Sequence, residues 1–380
     1  MSLSLTKQHE ALQSEARAFA REHLAPDAER WEAQQSLPGS VVEKLREHGY
    51  LGAIVPAEHG GRGMDLLAYG LLTEELGAAS SSARSLLTVH DMVAYVLVKW
   101  GTAAQKQRWL GALASGARLG AFALSEPAVG SDASGVKSTA RLEDGHYVVN
   151  GVKRWITFGE IADLILVFAQ NDGKLSAFLV ERGTPGLTTV PIRGMLGTRA
   201  TMMAEVKLEE CRIPKDHLVG GVGFGLSAVA TTGLELGRYS IAWGSVGIGQ
   251  GCVQASLRYA MERTQYGTQL RKHQLIQELI TEMVTNVSAA RLLCAQAGER
   301  IQAGDRHAMF SVMMAKYFSS RIAARAAADA VQLHGANGCS DAYPVARHLR
   351  DAKLMEIIEG SSQMQQMAIA KLAYQSIDVD

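Results

Sequence analysis

The segment 355–366, MEIIEGSSQMQQ, sets a carboxylate, Glu359, beside Gly360 and two hydroxyls. A carboxylate kept away from water is more basic than in solution and can take a proton from a weakly acidic carbon. Taken alone, a Glu before a Gly reads as a solvated helix end. Other segments carry groups that could hold a large polar ligand nearby. FALSEPAVGSD (122–132) gathers Ser125, Glu126, Ser131 and Asp132 among small residues, either as a polar turn or as a ligand-holding loop. RWITFG puts Trp155 and Thr157 on one face of an extended strand, because strand side chains alternate. Such a Trp packs in a core on the plain reading and beside a flat ring on the functional one. RTQYGTQLRKHQ (263–274) offers a basic cluster with a Tyr-Gly break, and QLHGANGCSDAYPVARHLRDAK (332–353) offers a Gly-rich turn before a basic helix.

Several familiar chemistries are missing. VGGVGFG (219–225) fails the GxGxxG spacing, since Leu226 stands where the third Gly belongs. It also lacks a surrounding βαβ unit, so it reads as an interdomain loop. GSVGIGQG (244–251) falls within a helical pattern, where its small residues allow close packing. No HExxH, P-loop or GxSxG motif occurs. The four cysteines (Cys211, Cys252, Cys294, Cys339) form no CxxC pair, which suggests structural thiols in a reducing compartment.

The elements that must position these residues change character twice. Residues 1–118 carry apolar residues at helical spacing, as in QHEALQSEARAFAREHL and LLAYGLLTEELGAA. Residues 119–225 read as strands. HYVVNGVKRWIT suggests a hairpin turning at Asn-Gly, and DLILVFA-QNDGK-LSAFLVE a second one. MAEVKLEE alternates as a half-buried strand should. Residues 226–380 return to helical period, with a stripe from Ile276 through Leu279, Ile280, Met283, Val284, Val287 and Ala290 to Cys294. The expected fold is α+β: an N-terminal helical domain, a central antiparallel β domain and a C-terminal four-helix bundle.

At 380 residues, 47% hydrophobic and 20% charged, the chain suits two or three globular domains. Its 38 basic and 38 acidic residues give no net field for nucleic acid. No uninterrupted apolar stretch suits a signal or a membrane span, so the expected location is the cytoplasm.

Together, these segments resemble the acyl-CoA dehydrogenase family nearly end to end, from PAEHGGRG and GTAAQKQRWL to the last helix. ALSEPAVGSDASG is similar to the family's first signature, and 332–351 to its second. The resemblance implies FAD as cofactor and Glu359 as catalytic base. It implies that Phe122, Leu124, Ser125 and Ser131 line the flavin, with Trp155 beside the ring and Thr157 near its reactive nitrogen. Arg263 and Gln274 would reach the FAD of a neighbouring subunit, as would Gln332 and the Gly335–Ala336 backbone. Ser361 and Gln363 would lie by the cofactor, and Arg238 and Lys371 on the substrate side. Some relatives carry the base near Arg238, where this chain has Gly237. Ala336 replaces a small Gly or Ser, Cys339 a bulky apolar residue and Ala342 an acid.

The implied reaction oxidises an acyl thioester and passes electrons to an electron-transferring flavoprotein, in a homodimer or homotetramer. SLLTVHDMVAYVLVKWG, ADAVQLHGANGCS and LMEIIEGSSQ resemble a branch from polyketide and nonribosomal-peptide pathways. That branch acts on short acyl groups on an acyl carrier protein, forming hydroxymalonyl- or aminomalonyl-type units. The alternatives are an ordinary short-chain acyl-CoA dehydrogenase, a flavin oxidase or monooxygenase on the same scaffold, and a noncatalytic assembly protein.

Overall fold

The structure is a computed structural model that describes residues 5–376. Six α-helices come first: α1 (Lys7–Phe19), α2 (Ala28–Gln34), α3 (Gly39–Glu47), α4 (Leu66–Ala79), α5 (Ser81–Trp100) and α6 (Ala103–Ala114). Side-chain caps explain where several begin. Thr6 and Thr102 form capping boxes with His9 and Gln105, while Asp65 and Ser80 cap α4 and α5.

Eight strands follow: β1 (Gly120–Ala123), β2 (Thr139–Glu143), β3 (His146–Ile156), β4 (Leu164–Asn171), β5 (Lys174–Glu181), β6 (Leu187–Pro191), β7 (Ala204–Pro214) and β8 (Leu218–Val219). They form one sheet in the order β6-β7-β3-β2-β4-β5-β8, with β1 added parallel to β4. Most other pairs are antiparallel, as expected; β2 touches β4 in parallel at Thr139 and Gln170. The expected β4–β5 hairpin is present, turning at Asp172 and Gly173 in left-handed backbone.

The other hairpin differs from expectation. β3 runs straight through Asn150–Gly151, and the chain turns earlier, at Asp144–Gly145 (φ 48° and 76°). Both dipeptides tolerate positive φ, and here the second makes a bulge. The β3–β7 register shifts there, and the Asn150 amide exchanges hydrogen bonds with the backbone and side chain of Glu210. A Cβ on Gly151 would lie 2.1 Å from Ser138 Oγ.

The last block holds α7 (Thr231–Glu262), a small hairpin of β9 (Thr264–Gln265) and β10 (Thr268–Gln269), α8 (Gln274–Gln302), α9 (Ala308–His334), α10 (Val345–Met355) and α11 (Ser362–Ser376). α7, α8 and α9 pack on one another, but α4 and α5 also lie against α7. The two helical blocks therefore share one core, in which Leu72 and Leu76 join Trp243 and Val246. The glycines of α7 make this approach possible. Each costs about 1 kcal/mol of helix propensity, yet a Cβ at Gly247 would sit 2.2 Å from the Glu74 carbonyl and one at Gly244 2.8 Å from Arg84 Nε.

Gly247→Val should therefore be among the costly single changes in the helical core. Pushing α4 off α7 is expected to destabilise by about 1–3 kcal/mol or more. Urea unfolding followed by circular dichroism checks this; wild-type stability would refute the contact.

Candidate active site

After α10 ends at Met355, the chain makes a left-handed turn at Glu359 (φ 55°) and Gly360 (φ 93°). A non-glycine residue in that region costs about 1–3 kcal/mol, so its surroundings must hold it. They do so through both carbonyls. Arg238 Nε donates to the Glu359 carbonyl at 3.0 Å and Lys316 Nζ to that of Gly360 at 2.8 Å. Gln365 Nε2 donates to both at 3.2 Å.

The turn aims the Glu359 side chain at α7. A Cβ on Gly237 would lie 2.8 Å from Glu359 Oε2 and 2.9 Å from Met92 Sδ. Oε2 is buried and has no hydrogen-bond partner among the described residues. Burial raises the Glu359 pKa above the ordinary carboxylate value, while Arg238, Lys316 and Arg84 pull the other way. Glu359 is half-buried, with one carboxyl oxygen desolvated and unpaired, and is not a fully solvated helix end. The Gly237 position and the Glu359 carboxyl claim the same space, so only one of them can carry a side chain there.

Gly233 lies one turn earlier on α7, about 6 Å along the axis. There a Cβ would meet Phe122 Cε2 at 2.6 Å. The glycine face of α7 thus sets the end of β1 beside the Glu359 turn. The loop after β1 is anchored by Glu126. Its carboxylate accepts from Ser138 Oγ (2.6 Å), Ser138 N (2.9 Å), Lys137 N (2.8 Å) and Lys153 Nζ (2.7 Å). Lys153 also reaches the Leu124 carbonyl at 3.3 Å, and Arg154 N donates to that of Ser125 at 2.9 Å. The two segments are thereby tied together. Glu126 was visible in its motif but without a role, and Lys153 was missed. A lysine at an inward strand position, one residue before Arg154, is the signal that could have found it.

Trp155 and Thr157 do not alternate along a strand as expected. The register with β7 shifts between Lys153 and Ile156, Trp155 takes φ 64°, and β3 ends before Thr157. The bulge leaves the indole 48% exposed, with the Arg154 guanidinium 4.8 Å from its centre. The side-chain hydroxyls of Ser125, Ser131 and Thr157 make no hydrogen bond among the described residues. An exposed indole and free hydroxyls on two segments tied together are suitable partners for a flat ring with polar edges.

The remaining candidates divide by location. Ser361 and Gln363 sit at the start of α11, where Ser361 Oγ accepts from Met364 N at 3.4 Å. Lys371 is exposed further along that helix. Arg238 is engaged with the Glu359 backbone. Arg263 stands just past the end of α7, about 38 Å from Arg238 at 1.5 Å per residue. Gln332, Gly335 and Ala336 belong to the same far end, because Tyr259 OH donates to the His334 carbonyl at 3.3 Å. Arg263, Gln274, Gln332, Gly335 and Ala336 are all exposed. Within one chain they are not brought to Glu359. The adjoining hairpin carries Tyr266 at 97% and Leu275 at 76% exposure.

Comparison with known proteins places the chain in a family. The chain matches the acyl-CoA dehydrogenase N-terminal domain over residues 6–117, the middle domain over 121–211 and the C-terminal domain over 223–373. The chain belongs to the acyl-CoA dehydrogenase family. A probable acyl-CoA dehydrogenase, YngJ of Bacillus subtilis, is 38% identical, covering 98% of this chain and 99% of the relative. Among solved structures, butyryl-CoA dehydrogenase from Megasphaera elsdenii has a TM-score of 0.95 at 32% identity, covering 98% of this chain and 100% of that one. FkbI, for biosynthesis of a methoxymalonyl extender unit, has 0.89 at 33%, covering 96% and 99%. A glutaryl-CoA dehydrogenase from Mycobacterium smegmatis in complex with FADH2 has 0.93 at 28%, covering 99% and 97%.

As an acyl-CoA dehydrogenase family member, the protein is an FAD-dependent oxidoreductase. Among the described residues no group of His, Cys, Asp or Glu could hold a metal ion, and no helix is long and apolar enough to cross a membrane.

Burial raises the Glu126 pKa, but hydrogen bonds from Lys153, Ser138 and the Lys137 and Ser138 amides outweigh it and hold it near about 2, against 4.5 normally. A carboxyl with a depressed folded pKa contributes stability above its unfolded value and loses it as pH falls toward the folded one. Glu126→Gln should therefore lower the melting temperature at neutral pH. Its gap to wild type should narrow below pH 4.5 and close toward pH 2. A gap that stays constant with pH would contradict this assignment.

Proposed function

We propose that this enzyme dehydrogenates a short acyl thioester with Glu359 as the base. The observation that carries the reading is Glu359 Oε2, buried and unpaired against Gly237, one helical turn from the contact of Gly233 with Phe122. A thioester carbonyl acidifies its α-proton, and donors to that oxygen stabilise the developing enolate. Glu359 takes this proton, helped by a desolvated setting that raises its basicity. Arg238, Lys316 and Arg84 keep the carboxylate accessible in its charged form. Bound FAD supplies a two-electron acceptor for the hydrogen leaving the β-carbon.

Phe122, Leu124, Ser125, Ser131, Trp155 and Thr157 would hold the flavin, with Ser361 and Gln363 close by. Arg263, Gln274, Gln332, Gly335 and Ala336 would reach the FAD of a partner subunit in a dimer or tetramer. Their distance from Glu359 and the exposed hairpin beside them support that division. Arg238 and Lys371 stand on the substrate side, and an electron-transferring flavoprotein would take the electrons.

The acyl group is read as short and polar, presented on an acyl carrier protein as a hydroxymalonyl- or aminomalonyl-type precursor. The likeness to FkbI supports this, and so does the wall of the site. Arg84 is fully buried within electrostatic reach of Glu359, and Thr88 and Ser240 meet between α5 and α7 at 2.6 Å. A long aliphatic chain running that way would meet a buried cation. The higher TM-score to butyryl-CoA dehydrogenase favours a second reading, an ordinary short-chain acyl-CoA dehydrogenase.

Two outcomes test the reading. Glu359→Gln is nearly isosteric but accepts no proton at neutral pH. It should retain FAD while substrate-driven flavin reduction falls at least about a hundredfold. Stopped-flow absorbance measures this, and near-equal rates would remove Glu359 from the mechanism. The wild type should be bleached faster by glyceryl- or seryl-carrier-protein thioesters than by butyryl- or octanoyl-CoA. Faster bleaching by the CoA esters would select the second reading.

A further inference from the structure

α9 sends one buried charged group toward the proposed base. Lys316 is fully buried near the start of that helix, and its ammonium makes a single hydrogen bond among the described residues, to the Gly360 carbonyl. An ammonium has three donors, and burying it with one partner is costly unless its charge is needed nearby. The nearby group is Glu359, whose Oε2 is itself buried without a partner. The two side chains do not form an ion pair. Lys316 instead grips the backbone of the turn that carries Glu359.

We propose that Lys316 is a positioning residue for the base: its donor fixes the left-handed turn that aims Glu359 at Gly237, and its buried charge faces that carboxyl. This inference rests on the reading of Glu359 as the base.

Every element packed against Glu359 contributes to the balance. α7 supplies Arg238, α9 supplies Lys316 and α5 supplies Arg84. Lys316 in turn faces Glu359, Arg238 and Glu356. Arg238 has a second acid near it, Glu235, and Arg84 has Asp351 and the Tyr69 hydroxyl. Burial draws Lys316 down to about 8, with Glu359 pulling upward. Its charge is thus poised to respond to the charge on the base. Of the three cations, Lys316 alone lacks a second hydrogen bond of its own. Arg238 also contacts Met309 Sδ, and Arg84 contacts Thr88 and Met355. Removing Lys316 leaves the Gly360 carbonyl to Gln365 alone.

Difference infrared spectroscopy of the FAD-loaded enzyme reads the charge directly, without substrate. The protonated-carboxyl band assigned to Glu359 is the one that Glu359→Gln removes. In Lys316→Met its titration midpoint should lie at least one pH unit above wild type, a tenfold shift in proton affinity. A band absent from wild type that emerges in the variant gives the same result. Lys316→Arg should restore the wild-type midpoint. Lys316→Gln keeps a donor and loses only the charge, so it should shift the midpoint as Met does, and it serves if the Met variant fails to fold. An unchanged midpoint, or no such band, in the charge-removing variant would overturn the proposal.

The positioning half is read above the shifted midpoint, where Glu359 is ionised in every variant. There, flavin reduction by whichever of the four thioesters above is fastest should stay at least tenfold slow in Lys316→Met. It should recover to within about threefold in Lys316→Gln. If Met equals wild type there, positioning is refuted. If Glu359→Gln reduces flavin normally while the infrared midpoint still shifts, the catalytic reading fails and the Lys316–Glu359 coupling stands.

Discussion

The geometry of the site depends on a turn that the backbone resists. Glu359 and Gly360 adopt left-handed conformations because Arg238, Lys316 and Gln365 hold their carbonyls, from α7, α9 and α11. Without those donors, a non-glycine residue at φ 55° would relax toward ordinary helix or strand geometry. The carboxyl would then leave the space beside Gly237. Three helices, distant in sequence, thus converge on two peptide groups.

α7 extends this constraint across the molecule. Its glycines serve as contact points rather than weak spots in a helix. Gly233 meets the β domain at Phe122, Gly237 meets Glu359 and Met92, Gly244 meets Arg84, and Gly247 meets the α4 backbone. Side chains at these places would separate the elements that build the site. The same helix carries Arg238 near its start and leads to Arg263 beyond its end. Its length separates the groups near Glu359 from those proposed to reach a partner's cofactor.

Much of this was legible in the sequence. The change from helical to alternating period and back gave the α, β, α order, because burial on one face imposes those periods. The β4–β5 hairpin and the alternation of β7 followed from the same logic. The local conformation of the strand β3 was not legible. Asn150–Gly151 is a good turn signal, yet Asp144–Gly145 takes the turn and the later pair becomes a bulge. Trp155 escapes strict alternation because a second irregularity rotates it outward. Both depend on pairing with β7, about fifty to sixty residues away, which short-range pattern does not encode. The candidate site was legible as a set of motifs, while Lys153 and Lys316 were not. Each lysine's partner is named only by the tertiary fold.

The proposed role of Glu359 as base requires its carboxylate to reach the α-carbon of a bound thioester. The most direct test is a crystal structure of the FAD enzyme with an unreactive thioester analogue of its substrate. The account predicts a Glu359 oxygen about 3–3.5 Å from the analogue's α-carbon, with the turn still held by Arg238, Lys316 and Gln365. A carboxylate swung away from Gly237, or another side chain at the α-carbon, would contradict it.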